Sequence, residues 1–66
     1  MSDTIAQRIR RRRRELDFSQ AELGAMADIG SNSISTYERG TIAPSIPTLR
    51  KLATALDVTT DWLVNG

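Results

Sequence analysis

Two groups of residues have the most chemistry to offer: five consecutive arginines, Arg10 to Arg14, and the short polar run Ser31, Asn32, Ser33, Ser35 and Thr36. A guanidinium presents a rigid fork of donors that matches the oxygens of a phosphate or carboxylate. Hydroxyls and a carboxamide on short stems can donate and accept while letting the backbone come close to a partner. Neither group suits bond-breaking chemistry. The chain has no His and no Cys, which removes the usual acid–base and nucleophilic side chains and every common zinc constellation, and its Asp and Glu show no paired spacing of a carboxylate site. The reading is a binding protein, not an enzyme, with no cofactor and no small-molecule ligand.

The net charge of +1 hides a segregation. Residues 1–14 hold six arginines against Asp3, a net +5, and residues 15–66 hold three basic against seven acidic groups, a net −4. A local field of this kind matters more to a polyanion than the total does. Two readings of the run stay open on composition alone: a solvated helix face, or a patch directed at phosphate.

The elements that must position these groups are short helices. Ile5, Ile9, Arg12 or Arg13, and Leu16 fall at helical spacing, predicting an amphipathic helix from about Asp3 to Asp17 with one arginine at the edge of its apolar stripe. Ser19 and Glu22 form an S-x-x-E capping box, with Phe18 placed to staple onto Leu23, so a second helix runs from Gln20 to Ala27 with Leu23, Met26 and Ala27 inward. Gly24 offers a place where another backbone can approach. Asp28-Ile29-Gly30 reads as a three-residue turn, Asp28 tolerating a left-handed conformation and Ile29 acting as an apolar pin.

Beyond it, Ile34 and Tyr37 are spaced i, i+3, so GSNSISTYERG is a short helix closed by Gly40 rather than a linker. Its composition is poor in helix formers, so neighbours must hold it. Thr41 to Pro44 form a loop without Lys or Arg. Ser45 then caps a fourth helix, Ile46 to Leu56, with Pro47 in its first turn and Leu49, Leu52, Ala53 and Leu56 as its stripe. Thr59 or Thr60 caps a short fifth helix carrying Trp62 and Leu63. The expectation is one all-α domain over residues 1–66. With no apolar run near the roughly 20 residues that span a bilayer and no signal-peptide stretch, it reads as soluble and intracellular.

Two helices joined by a three-residue turn, the second polar on one side, make a helix-turn-helix. At this point SQAELGAMADIGSNSISTYERG resembles the helix-turn-helix of the lambda-repressor-like phage repressor and Cro family, also called the XRE family. The ending LATALDVTTDWLVNG is similar to that family's fourth and fifth helices, so the likeness covers nearly the whole chain. It implies a compact five-helix DNA-binding domain whose helix 3, residues 31–39, enters the major groove of a double-stranded operator in the cytoplasm of a bacterial or phage-infected cell. A weak homodimer on half-sites about 34 Å apart is implied as well, with Val58, Leu63 and Val64 as candidate contact residues that could equally be ordinary core.

By the same resemblance, Ser31, Asn32 and Thr36 match base-contacting positions, and Ser33 matches one turned to phosphate. Gln20 at the amino end of helix 2 matches a phosphate contact. Asn32 is the best single base reader, because its amide suits the N6 and N7 edge of adenine. Arg13 matches a helix 1 arginine that pairs with a glutamate, here Glu38, and can still reach a phosphate; Arg10, Arg14 and Arg39 complete the expected phosphate contacts. Asp28 stands where the family usually has Gly. A reading of another class remains beside this one: an antitoxin-like or adaptor module whose basic helix grips an acidic protein.

Overall fold

The computed structural model describes residues 3–66, five helices in chain order with no strand among them. The first two residues of the expected 1–66 domain lie outside that range. Helix α1 spans Ile5–Glu15, two residues later in its start than the periodicity predicts. The reason is Thr4, whose Oγ1 accepts from the Gln7 N–H at 3.1 Å while Gln7 Oε1 accepts from the Thr4 N–H at 2.8 Å, a capping box that fixes the start. Helix α2, Gln20–Ala27, begins on the predicted box: Ser19 Oγ accepts from the Glu22 N–H at 3.0 Å and Glu22 Oε1 from the Ser19 N–H at 2.8 Å.

Asp28 ends α2 at φ 57°, in the left-handed region, and the Ile29 N–H bonds back to the Gly24 carbonyl at 2.7 Å. Helix α3 follows at Ser31–Arg39 and stops at Gly40, φ 75°. Helix α4, Ile46–Leu56, is capped by Ser45, and α5, Thr60–Asn65, by Thr59, whose Oγ1 accepts from the Trp62 N–H at 3.0 Å. Aspartate recurs in the left-handed position that closes a helix: Asp17 after α1, Asp28 after α2 and Asp57 after α4.

The helices surround one apolar cluster. Ile9, Leu23, Ile34, Leu52, Leu56 and Leu63 are fully buried, one or more from each helix, and Ala27, Leu49 and Ala53 fill the gaps. Burial of such side chains contributes about 1.5–3 kcal/mol each, so α3 is held by this cluster and not by its own propensity. One expectation changes, and an alternative left open is decided. Met26 is 54 % exposed, because the buried face of α2 is centred on Leu23, Gly24 and Ala27 and Met26 lies about 100° round the helix from that centre. Leu63 is wholly buried, which removes it from any dimer surface, whereas Val64 is exposed and Val58 packs against the core. No helix among the described residues is long and apolar enough to cross a membrane.

Candidate nucleic-acid interface

The placement of α3 depends on how closely α2 lets it approach. A Cβ on Gly24 would stand 2.4 Å from the Ile29 carbonyl oxygen and 3.4 Å from the Ser31 nitrogen, so only the bare glycine backbone leaves room for the turn and the first residue of α3. On the inner side of α3, Ile34 is buried in the core, Tyr37 packs against it and Glu38 is buried against α1 and α2.

Glu38 is the hub. Its Oε2 accepts from Arg13 Nε at 2.6 Å and its Oε1 from Arg13 Nη2 at 3.0 Å and from Gln20 Nε2 at 3.3 Å. Arg13 Nη1 also donates to the Phe18 carbonyl at 2.7 Å, so one guanidinium ties α1, the α1–α2 connection and α3 together. Both partners are withdrawn from water, the Arg13 side chain 11 % exposed and that of Glu38 3 %. The hydrogen bond to Glu38 raises the pKa of Arg13 above the ordinary arginine value; burial opposes this, and the charge of Glu38 adds to it. The expected Arg13–Glu38 pair is therefore present and occupies two of the arginine's N–H donors, and the Phe18 carbonyl takes a third.

The outer side of α3 differs along its length. Ser31 and Asn32, at the amino end, are exposed, and their side chains make no hydrogen bond among the described residues; Gly30, not a serine, is the N-cap. Ser33 is half-buried. Thr36 Oγ1 donates to the Asn32 carbonyl at 3.0 Å, and Arg39 lies back along the helix with Nη1 3.1 Å from Ser35 Oγ and Nη2 3.5 Å from Thr36 Oγ1. Ser31, Asn32, Thr36 and Arg39 thus share one helix with their polar atoms outward of its core-facing stripe, and Gln20 reaches the same helix from α2.

The arginine run divides by direction. Arg8 and Arg12 serve helix ends: Arg8 Nη1 donates to the Leu63 and Val64 carbonyls, each at 3.0 Å, and Arg12 Nε to the Leu56 carbonyl at 2.9 Å. A cation at a helix carboxyl end satisfies orphan carbonyls and meets the negative end of the dipole. Arg11 pairs with Asp3 and lies over the Trp62 ring, 5.6 Å from its centroid. Arg10 and Arg14, one turn apart, have no side-chain partner among the described residues, and Arg10 borders an open recess with Tyr37, Arg39, Gly40 and Ile42. Sequence reasoning passed over Arg8, which is only 7 % exposed. The available signal was its place, with Ile5, Ile9 and Arg12, at i, i+3, i+4 and i+7.

Comparison with known proteins agrees with this geometry. A helix-turn-helix family model matches residues 9–63. The chain is 37 % identical over 62 residues to repressor protein C2 of Salmonella phage P22, covering 94 % of this chain and 29 % of that protein. It is 33 % identical over 61 residues to the HTH-type transcriptional regulator ImmR of Bacillus subtilis (strain 168), covering 92 % of this chain and 48 % of that one. The chain therefore spans under a third of the first of these proteins and about half of the second.

Among solved structures, the P22 c2 repressor in complex with a synthetic operator superposes with a TM-score of 0.93 at 35 % identity, covering 98 % of both chains. The master regulator of biofilm formation SinR in complex with DNA does so at 0.87 and 36 %, covering 91 % of this chain and 97 % of that one. With the family model spanning most of its length and the five helices superposing throughout, this chain belongs to the lambda-repressor-like (XRE) helix-turn-helix family.

Proposed function

We propose that this chain binds double-stranded DNA sequence-specifically, as the DNA-reading part of a transcriptional repressor or a close relative acting in the cytoplasm, and that it is not an enzyme. The observation that carries the reading is the two-sidedness of α3. Its inner residues Ile34 and Glu38 are buried and clamped, while the side chains of Ser31 and Asn32 stand exposed with no hydrogen-bond partner among the described residues. A helix anchored in this way can lie in the major groove, which admits an α-helix, with its amino-terminal side chains at base edges.

In this arrangement Ser31, Asn32 and Thr36 face bases, and Arg10, Arg14, Gln20, Ser33 and Arg39 face phosphates. Arg13 acts chiefly as the strut of α3, with two N–H groups left for a phosphate. The operator-bound P22 c2 repressor and DNA-bound SinR support the DNA reading, since both carry this fold at 35 % and 36 % identity. A two-fold pair of chains on half-sites one helical turn apart follows for an operator read in this way.

Selection of binding sites from a random duplex pool at stated salt tests the proposal. Enrichment of a pseudo-palindrome with half-sites about 10 base pairs apart is the supporting result. Binding that is blind to sequence, or capture of an acidic protein in place of DNA, would transfer the basic helix to the adaptor reading. Each phosphate neutralised contributes about −0.9 to the slope of log affinity against log salt, so a flat salt dependence also counts against the DNA reading.

A further inference from the structure

Thr36 and Asn32 stand one turn apart on the outer side of α3, and the hydrogen bond between them is not neutral for recognition. Thr36 Oγ1 donates its only proton to the Asn32 carbonyl at 3.0 Å, and the same oxygen is approached by Arg39 Nη2 at 3.5 Å. A hydroxyl in this state has no proton left to give to a base. What Thr36 retains for a partner is its methyl group and one remaining lone pair.

This separates it from Ser31, whose side chain is exposed and makes no hydrogen bond among the described residues, and whose hydroxyl can rotate to suit any base. Asn32, by contrast, uses only its backbone carbonyl in the bond to Thr36, so its carboxamide keeps both functions, donor and acceptor. The two faces at an i, i+4 spacing therefore differ in kind: a hydrogen-bonding fork at Asn32 and an apolar contact at Thr36.

Resting on the DNA reading above, we propose that Thr36 is a specificity-determining residue that reads the C5-methyl group of thymine, and not a hydroxyl donor that tolerates any base. In the major groove only thymine carries such a methyl, and guanine presents two acceptors, N7 and O6, that call for a donor Thr36 no longer has. Thr36 thus selects thymine and disfavours guanine at its base pair. Beside it, the Asn32 amide takes the N6 and N7 edge of adenine, so the half-site carries an A·T-rich step beneath this part of α3.

The test replaces one atom group on each side of the contact. After site selection with the 66-residue chain, each thymine of the selected half-site is replaced singly by deoxyuridine, which removes only the methyl. Binding of the wild type, Thr36→Ser and Thr36→Val is then compared at fixed salt. One thymine should matter to the wild type by about threefold to fivefold, the scale of burying a single methyl group. Thr36→Ser should lose that difference and Thr36→Val should keep it, because valine retains a methyl and has no hydroxyl. Indifference of the wild type to every deoxyuridine, an unchanged ratio in Thr36→Ser, or guanine selected at the position that Thr36 governs would overturn the assignment while leaving DNA binding intact. A pool with no enriched site at all would overturn the DNA reading beneath it.

Discussion

Arg13 and Glu38 meet as two parallel hydrogen bonds, Nε to Oε2 at 2.6 Å and Nη2 to Oε1 at 3.0 Å, and this contact fixes α3 to α1. Its value lies less in Coulomb attraction than in what its loss would leave behind. Breaking a buried pair by removing one partner costs about 3–5 kcal/mol, because the other charge stays desolvated. A chain of this length has a total stability on the order of 3–10 kcal/mol. Arg13→Ala should therefore remove a large share of the folding free energy and weaken operator binding along with it. Glu38→Gln keeps one oxygen to accept from Arg13 Nη2 and Gln20 Nε2, but it turns an NH2 toward the Arg13 Nε–H and leaves the guanidinium charge uncompensated. It should also destabilise, by less than Arg13→Ala because the shape and one acceptor remain. Urea denaturation of the two variants checks the order; equal midpoints for Arg13→Ala and the wild type would show that the pair does not hold α3.

Gly24→Ala sets two effects against each other. Alanine in a helix interior gains about 0.5–1 kcal/mol over glycine. The new Cβ would stand 2.4 Å from the Ile29 carbonyl oxygen, a backbone atom that cannot swing aside, and overpacking of that kind costs about 1–3 kcal/mol. The clash wins, so the variant should melt lower than the wild type, and its α3 should bind DNA less well than the stability loss alone predicts. A melting temperature at or above the wild-type value would contradict the close approach.

How much of this was legible in the chain depends on the reach of each signal. The Ser19–Glu22 box, Ser45, Gly40 and the three-residue turn are local, and each sits where the sequence placed it. Gly24 was legible as a place of close approach, though not as one facing the Ile29 carbonyl. The direction of each arginine was not legible. Arg8 is buried because the carbonyls of Leu63 and Val64 arrive from the far end of the chain, and no spacing within α1 announces them. Periodicity placed Met26 inward, and the helix turns it out, since α2 is short enough that Leu23, Gly24 and Ala27 form its whole buried face. The donor state of Thr36 was likewise hidden, because it depends on a rotamer.

Asp57 offers a stabilising change away from the interface. It holds φ 56° at the end of α4, a conformation that aspartate tolerates better than most side chains but that glycine adopts without strain, and its charge faces the negative end of the helix dipole. Asp57→Gly should raise the melting temperature without altering DNA affinity, and Asp57→Asn should raise it less. A lower melting temperature for both variants would show that the aspartate makes a contribution its geometry does not reveal.

Glu22 ties α2 to acidity. The Ser19 backbone N–H, and after it the Ser19 hydroxyl, hold the Glu22 carboxyl below its ordinary value near 4.5, against a small opposing effect of burial. A lowered pKa in the folded state means stability that is fully present above that ordinary value and is lost as pH falls through the lower folded one. The amide oxygen of Glu22→Gln can accept the same bond but does not titrate. The wild type should be the more stable of the two at neutral pH, and the difference should vanish at strongly acid pH. Paired melting curves from pH 7 to pH 2 check this, and a constant difference would sink it.

The arginines of α1 divide into those bonded to the rest of the fold and those without a partner among the described residues, and single substitutions should separate their roles. Arg8 and Arg12 donate to carbonyls at the ends of α5 and α4, and removing a charged partner from such groups costs about 1–3 kcal/mol. Arg8→Ala and Arg12→Ala should lower stability, and any loss of DNA affinity should follow from unfolding. Arg10 and Arg14 have no partner to lose among the described residues, so Arg10→Ala and Arg14→Ala should leave the melting temperature nearly unchanged. If each faces a phosphate, its removal should reduce the salt slope of binding by about 0.9 and weaken binding to all sequences alike. The charge run that looks uniform in sequence would then be two interleaved sets, told apart by whether stability or salt dependence moves. A slope unaffected by both Arg10→Ala and Arg14→Ala would return these two side chains to the solvated face that composition alone allows.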